Sequence, residues 1–166
     1  MRLGRWFRTL RHSRTPHLKI SVPTSSAETL NPDEDKVPTK EHFVRFGEPF
    51  ILHPRNFVLG ITLEWMRFPS DLGGYVTGKS SLGRRGLIIE TASGIQPGFS
   101  GCLALELSNV GEVPIALLPG MQICQIFVHE VGPDPKSAKS QFIGRRKPVL
   151  GAVRPDQILI KLSKRR

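Results

Sequence analysis

The chain has 166 residues, 39% hydrophobic and 7% aromatic, with 14 prolines, 16 glycines and a formal net charge of +10. That length suits one domain around a single core, and the turn-former content argues against long helices. No run approaches the roughly 18 apolar residues of a membrane-spanning helix, and the basic opening MRLGRWFRTLRHSR lacks the apolar stretch of a secretory signal, so neither a membrane nor export is indicated.

Charge is spread unevenly along the chain. Residues 1–20 carry six basic side chains and no acidic one, residues 136–166 carry ten basic and one acidic, Asp156, and residues 21–135 carry eight basic against 13 acidic. Basic ends suit nucleic acid, an anionic surface or a phosphorylated small molecule, or simple solvation. In chain order, residues 1–22 predict a basic strand region, and 23–40, PTSSAETLNPDEDKVPTK, predict a loop. Residues 41–131 hold short apolar runs between turn signals: HFVRF, FILHP, RNFVLGITLEWMRF, YVTG, GLIIETA, CLALELS, IALLPG and MQICQIFVHEV. Strands of four to eight residues without a helical repeat predict an antiparallel all-β core, closed or sandwiched. Arg67, ahead of Phe68 and Pro69, is expected to end a strand. Residues 132–166 predict a basic, moving lid or tail over an anionic ligand, with ILIKL at 158–162 as one last short strand or a frayed end.

Chemistry concentrates in residues 78–108. In CLALELS, strand alternation puts Leu103, Leu105 and Leu107 on a core face and Cys102, Ala104, Glu106 and Ser108 on the other. Small neighbours around one carboxylate leave room for a ligand or another subunit, although a solvated or salt-bridged glutamate accounts for the strand alone equally well. GKSSLGRRG offers Lys79, Arg84 and Arg85 as cations and Ser80 and Ser81 as hydroxyl donors, with glycines for close backbone approach. Its lysine precedes the second glycine, so it is not a Walker loop, and a merely basic β-turn is an open alternative. Gln96, Pro97 and Gly98 predict a type II turn, and Pro119 with Gly120 predict a second turn joining core strands. Cys102 and Cys124 form no C-x-x-C, no H-x-E occurs, and His12, His17, His42, His53 and His129 show no metal-ligand spacing. No zinc site is expected, and the unpaired thiols suit a reducing cytoplasm. Trp6 and Trp65 are expected to anchor the core or a subunit contact.

KSSLGRRGL, TASGIQPGFSGCLALELSN and PIALLPGMQI together resemble the deoxycytidine triphosphate (dCTP) deaminases, within the trimeric deoxyuridine triphosphatase (dUTPase)-like superfamily. The likeness runs from near Phe50 to Val131. It implies a distorted jelly-roll-like β barrel, a homotrimer with active sites between subunits, and no metal beyond magnesium held by the substrate triphosphate. The implied activity is hydrolytic deamination of dCTP to dUTP and ammonia, feeding thymidylate supply. Glu106 matches the catalytic glutamate, and Ser80 and Arg84 match residues that help to place the water and the base and to contact phosphate. Lys79 falls at the triphosphate, the backbone oxygen of Ala92 at the cytosine amine or attacking water, and Ser81, Gln96 and Arg145 at further substrate contacts. Burial would push such a glutamate's pKa up, and a nearby Arg84 would oppose that.

Two departures bear on substrate and product. Members that hydrolyse the triphosphate have aspartate where this chain has Gln96, an amide that cannot act as a base. In the lid, Phe142, Ile143, Gly144 and Arg145 stand where many members have a Tyr-x-Gly-Gln-like run, leaving Arg145, Arg146 and Lys147 to clamp phosphates. Met1 to Gly4 resemble the end of a Ser-x-Asp-x-Arg-Leu-Gly run, implying an N-terminally short version or a start further upstream. The alternatives are a dUTP diphosphatase or bifunctional enzyme, and a catalytically silent trimer that binds nucleotide or a partner, including nucleic acid through the basic tails.

Overall fold

Short apolar runs broken by proline and glycine fold into eleven strands and one helical turn, besides the helical Ile158, Lys161 and Leu162, among the residues described, which are 1–11, 38–90, 94–132 and 142–151 with Ile158, Lys161 and Leu162 in a computed structural model. In chain order they are β1 (Trp6–Leu10), β2 (Thr39–Phe43), β3 (Phe50–Leu52), β4 (Phe57–Ile61), β5 (Met66–Arg67), β6 (Leu72–Gly78), α1 (Ser80–Gly83), β7 (Leu87–Glu90), β8 (Ser100–Gly101), β9 (Ala104–Asn109), β10 (Ile115–Leu117) and β11 (Cys124–Glu130). The main sheet has the order β2-β1-β4-β9-β7, and β10-β3, β11-β6 and β5-β8 form three two-stranded pairs. The all-β expectation holds, and Arg67 does end β5.

Contacts divide the chain into two units, one of Met1–Thr9 and Lys40–Val149, the other of Leu10–Thr39 and Leu150–Arg166. In the second, Arg11 donates its N–H to the Pro38 carbonyl at 2.7 Å. Ile158, Lys161 and Leu162 are helical, so the strand expected in ILIKL is corrected at these positions. Leucine, isoleucine and lysine tolerate helix well, and no turn signal interrupts them.

The first unit's core is set by the alternation of β9. Leu105, Leu107 and Asn109 are buried while Ala104, Glu106 and Ser108 are half-buried. Leu87 and Ile89 of β7 lie opposite Asn109 and Leu107 and join the same cluster with Val58, Phe7 and Leu3. Phe7 stacks on Phe50 with centroids 4.5 Å apart, and each such side chain contributes about 1.5–3 kcal/mol by leaving water. Leu103, expected in the core, is only half-buried and packs against its edge, because β9 starts one residue later and the alternation does not extend back to it.

Asn109 is the polar member of this layer. Fully buried, it donates from Nδ2 to the carbonyls of Leu52 at 3.0 Å and Val113 at 2.9 Å, and its Oδ1 accepts from the Gly111 N–H at 3.0 Å. One amide thus fixes the end of β9 to β3 and to the loop before β10. The turn at 96–99 forms as its residues require: the Phe99 N–H reaches the Gln96 carbonyl at 3.1 Å, and Gly98 takes a φ of 77°, a value costly for residues with a Cβ.

Residues 142–149 run as a strap within this unit. The Gly144 N–H donates to Ser100 at 2.8 Å, and the Arg145 carbonyl accepts from Cys102 at 3.0 Å, so the strap pairs with the strand that leads into β9. Pro148 is fully buried and its carbonyl accepts from Arg8 Nε at 2.8 Å. Arg146 lies 4.7 Å over the Trp65 ring, and Lys147 lies 3.8 Å over Trp6 and 3.2 Å from Glu41, which also pairs with Arg8. Backbone pairing and two cation–π contacts of about 0.5–2 kcal/mol each tie these residues of the expected lid to the unit. Trp6 and Trp65 are the seats of that strap.

Asn109→Ala should lose about 2–4 kcal/mol of stability, since two carbonyls and an N–H lose buried partners, read as a lower denaturant midpoint. Trp65→Ala should accelerate tryptic cleavage after Arg145 and Arg146 at least fivefold by peptide mass, whereas an unchanged rate would mean that the ring does not hold the strap.

Candidate active site

Glu106 sits in the middle of β9, on the face that turns away from the core. Its register partners are Leu59 on β4 and Glu90 on β7. Leu59 is only 6% exposed although it belongs to this outer face, and Ile61 beside it is 2% exposed. On its own strand the neighbours are Ala104 and Ser108, both half-buried. The carboxylate therefore has an apolar wall on one flank, small residues along its strand and a second carboxylate on the other flank. Glu106 is thus half-buried, with hydrocarbon on the Leu59 side.

The basic turn has a different local cause. Lys79 is extended, with φ −73° and ψ 126°, and its carbonyl accepts from Leu82 and Gly83, so Ser80–Gly83 close into one helical turn, α1, rather than a β-turn. Gly86, at φ 88°, ends it, and a Cβ there would stand 2.8 Å from the Gly111 nitrogen, so no other residue fits without displacing that loop. Ser80, Ser81, Arg84 and Arg85 are exposed. Arg85 donates to the Ser81 carbonyl at 2.7 Å, and Lys79 Nζ donates to Gln122 at 3.0 Å.

Within one chain the fold separates this turn from Glu106. The turn feeds into Leu87, opposite Asn109, while Glu106 is opposite Glu90, three residues or about 10 Å further along the strand. Leu82 of α1 packs against the core cluster, on the side of the sheet that Leu105 and Leu107 face, and Glu106 points to the other side. Gln96 is exposed and rides on β6, where Ile95 bridges Gly74, not on the main sheet. Arg145 is also exposed and is carried by the strap at the entrance to β9. Ala92 lies outside the described residues, as do His12, His17 and most of the two basic tails. His42 approaches Thr9 Oγ1 at 2.9 Å and packs edge-on against Phe50.

Sequence reasoning missed Glu90, Leu59 and Arg8, which share the Glu106 row of the sheet. The only available signal was the carboxylate in IIETA, at the end of a strand-like run. Both thiols are buried, and burial raises their pKa values. Arg146 works against that at Cys102 and the N-terminal ammonium at Cys124, while Glu64 adds slightly to both increases. They are unsuited to act as nucleophiles at neutral pH. Among the described residues no group of three His, Cys, Asp or Glu side chains is arranged to hold a metal, and no helix is long and apolar enough to cross a membrane.

Residues 1–131 match the profile of the dCTP deaminase-like family. The chain is similar to the "dCTP deaminase, dUMP-forming" of Mycolicibacterium smegmatis, 46% identical over 128 residues, covering 76% of this chain and 61% of that protein. A protein of the same name from Mycobacterium sp. strain KMS is 42% identical over 174 aligned positions, covering 98% and 83%. The chain thus spans about three fifths of the length of the first of these relatives and more of the second. Among solved structures, the 2′-deoxycytidine 5′-triphosphate deaminase of Agrobacterium tumefaciens resembles it in fold, with a TM-score of 0.53 at 22% identity over 79% of this chain and 38% of that one. Sequence profile and fold agree, and the chain belongs to the dCTP deaminase-like family.

Proposed function

We propose that the chain catalyses hydrolytic deamination of magnesium-bound dCTP, with Glu106 as the proton shuttle. The observation that carries this reading is Glu106 itself, half-buried on the outer face of β9 beside Leu59, in a chain whose residues 1–131 match the family. In the reaction the carboxylate takes a proton from water as oxygen bonds to carbon 4 of cytosine, then gives a proton to the amino group as the carbon–nitrogen bond breaks. Ser80 and Arg84 place the water and the base, Lys79 and Ser81 bind phosphate, Ala92 accepts from the amine through its carbonyl, and Gln96 and Arg145 contact substrate. One chain's α1 and its own Glu106 lie toward opposite sides of the sheet, which favours a homotrimer whose sites draw the turn and the glutamate from different subunits. Two buried, unpaired thiols favour a cytoplasmic setting.

The product is where relatives and residues pull apart. The expectation of dUTP is at odds with relatives named dUMP-forming, and we take dUMP, with pyrophosphate and ammonia, as the first reading. A second reading, in which the reaction stops at dUTP, is favoured by Gln96, whose amide cannot activate a water against the α-phosphate.

Glu106→Gln should reduce ammonia release from dCTP at least a thousandfold while the chain stays folded, and Glu106→Asp should lose most activity because the base retreats by about 1 Å. Residual release near the wild-type rate in Glu106→Gln would end the assignment. Chromatography of the wild-type products decides between the two readings: dUMP with pyrophosphate for the first, dUTP alone for the second. In the second case Gln96→Asp should raise the dUMP share.

A further inference from the structure

β6 ends at Gly78, opposite Cys124 of β11, and the next residue, Lys79, leans on the segment that leads into β11. Its N–H donates to the Ile123 carbonyl at 3.3 Å, and its Nζ donates to Gln122 Oε1 at 3.0 Å. Gln122 is itself held from behind. The Leu3 N–H donates to the Met121 carbonyl at 2.9 Å and the Ile123 N–H to the Met1 carbonyl at 3.0 Å, on either side of a backbone bridge between Gln122 and Arg2. Ile123 is fully buried, so the amide extends from backbone that the core fixes.

The chemistry of the acceptor decides what this contact can do. Among the described residues, the partner of the Lys79 ammonium is an amide and not a carboxylate. An amide oxygen orders an ammonium and leaves its charge in place, whereas a carboxylate would neutralise it and repel an incoming phosphate. Lysine has a long, flexible stem, and ordering it before the ligand arrives removes part of the entropy lost on binding. The Lys79 carbonyl meanwhile accepts from Leu82 and Gly83 of α1, so one residue joins the serine-arginine turn to the Gln122 segment.

We infer that Gln122 is a positioning residue for the substrate's phosphates: it holds Lys79 Nζ beside α1 without neutralising it, so that the triphosphate meets a cation already ordered. Gln122 acts through Lys79. The inference rests on the reading above, in which Lys79 binds phosphate.

The test uses the full chain and two probes, magnesium dCTP in turnover and magnesium tripolyphosphate in calorimetry. Gln122→Met keeps the length of the side chain and removes the acceptor. It should weaken tripolyphosphate binding about three- to tenfold and raise KM for dCTP by a similar factor, with kcat within about twofold of wild type. Gln122→Glu should weaken binding further, because it pairs the ammonium with a carboxylate. Inhibition by deoxycytidine, which has no phosphate, should be the same in all three proteins. In a Lys79→Met background the effect of Gln122→Met should vanish. Tripolyphosphate affinity that is unchanged in folded Gln122→Met, or that falls as much with Lys79→Met already present, overturns the inference, as does a wild-type chain that binds no tripolyphosphate. A wild-type chain that binds tripolyphosphate through Lys79 and Gln122 yet releases no ammonia from dCTP overturns the deaminase reading instead.

Discussion

The two-residue alternation of β9, locked between β4 and β7, is the constraint on which the site depends. Leu105, Leu107 and Asn109 are drawn inward because the core needs them, and Glu106 is forced outward by the same geometry. A slip of one residue would bury the carboxylate and expose two leucines. The energetic penalty of that slip keeps Glu106 on the outer face. Asn109 guards the register at the strand's end by tying it to β3 and to the loop before β10.

That arrangement leaves a molecule with its parts distributed rather than assembled. The serine-arginine turn is set by Lys79 and Gly86 and anchored inward through Leu82. The glutamate belongs to the opposite face of the same sheet. The proposed reaction needs both in one place, and strand parity within the chain is why a site drawn from two copies is proposed.

Features that follow from bonds along the chain were legible in the sequence. Proline followed by glycine at 97–98 makes the turn it predicts, and the inward leucines of β9 follow directly from a period of two. The small neighbours of Glu106 on its own strand were legible for the same cause. What stayed hidden depends on pairing between segments far apart in the chain: Glu90 opposite Glu106, Leu59 walling its other side, and Arg146 seated on Trp65. Composition does not carry register, and a tryptophan in a strand-rich stretch does not announce which cation will cover it. The helical turn at Ser80–Gly83 was missed because four residues are too few to display a helical period.

The seating of Arg146 on an aromatic face has an electrical consequence. A guanidinium matched with a carboxylate is neutralised, but one resting on the Trp65 ring keeps its full charge, and its influence is felt as far as the Cys102 thiol. The strap therefore fastens itself down without discharging that residue. It presents a standing positive potential to the solvent, able to draw in polyanions from beyond contact range and to fade as ionic strength rises. Capture rate, more than residence time, is the quantity such an immobilised cation would govern.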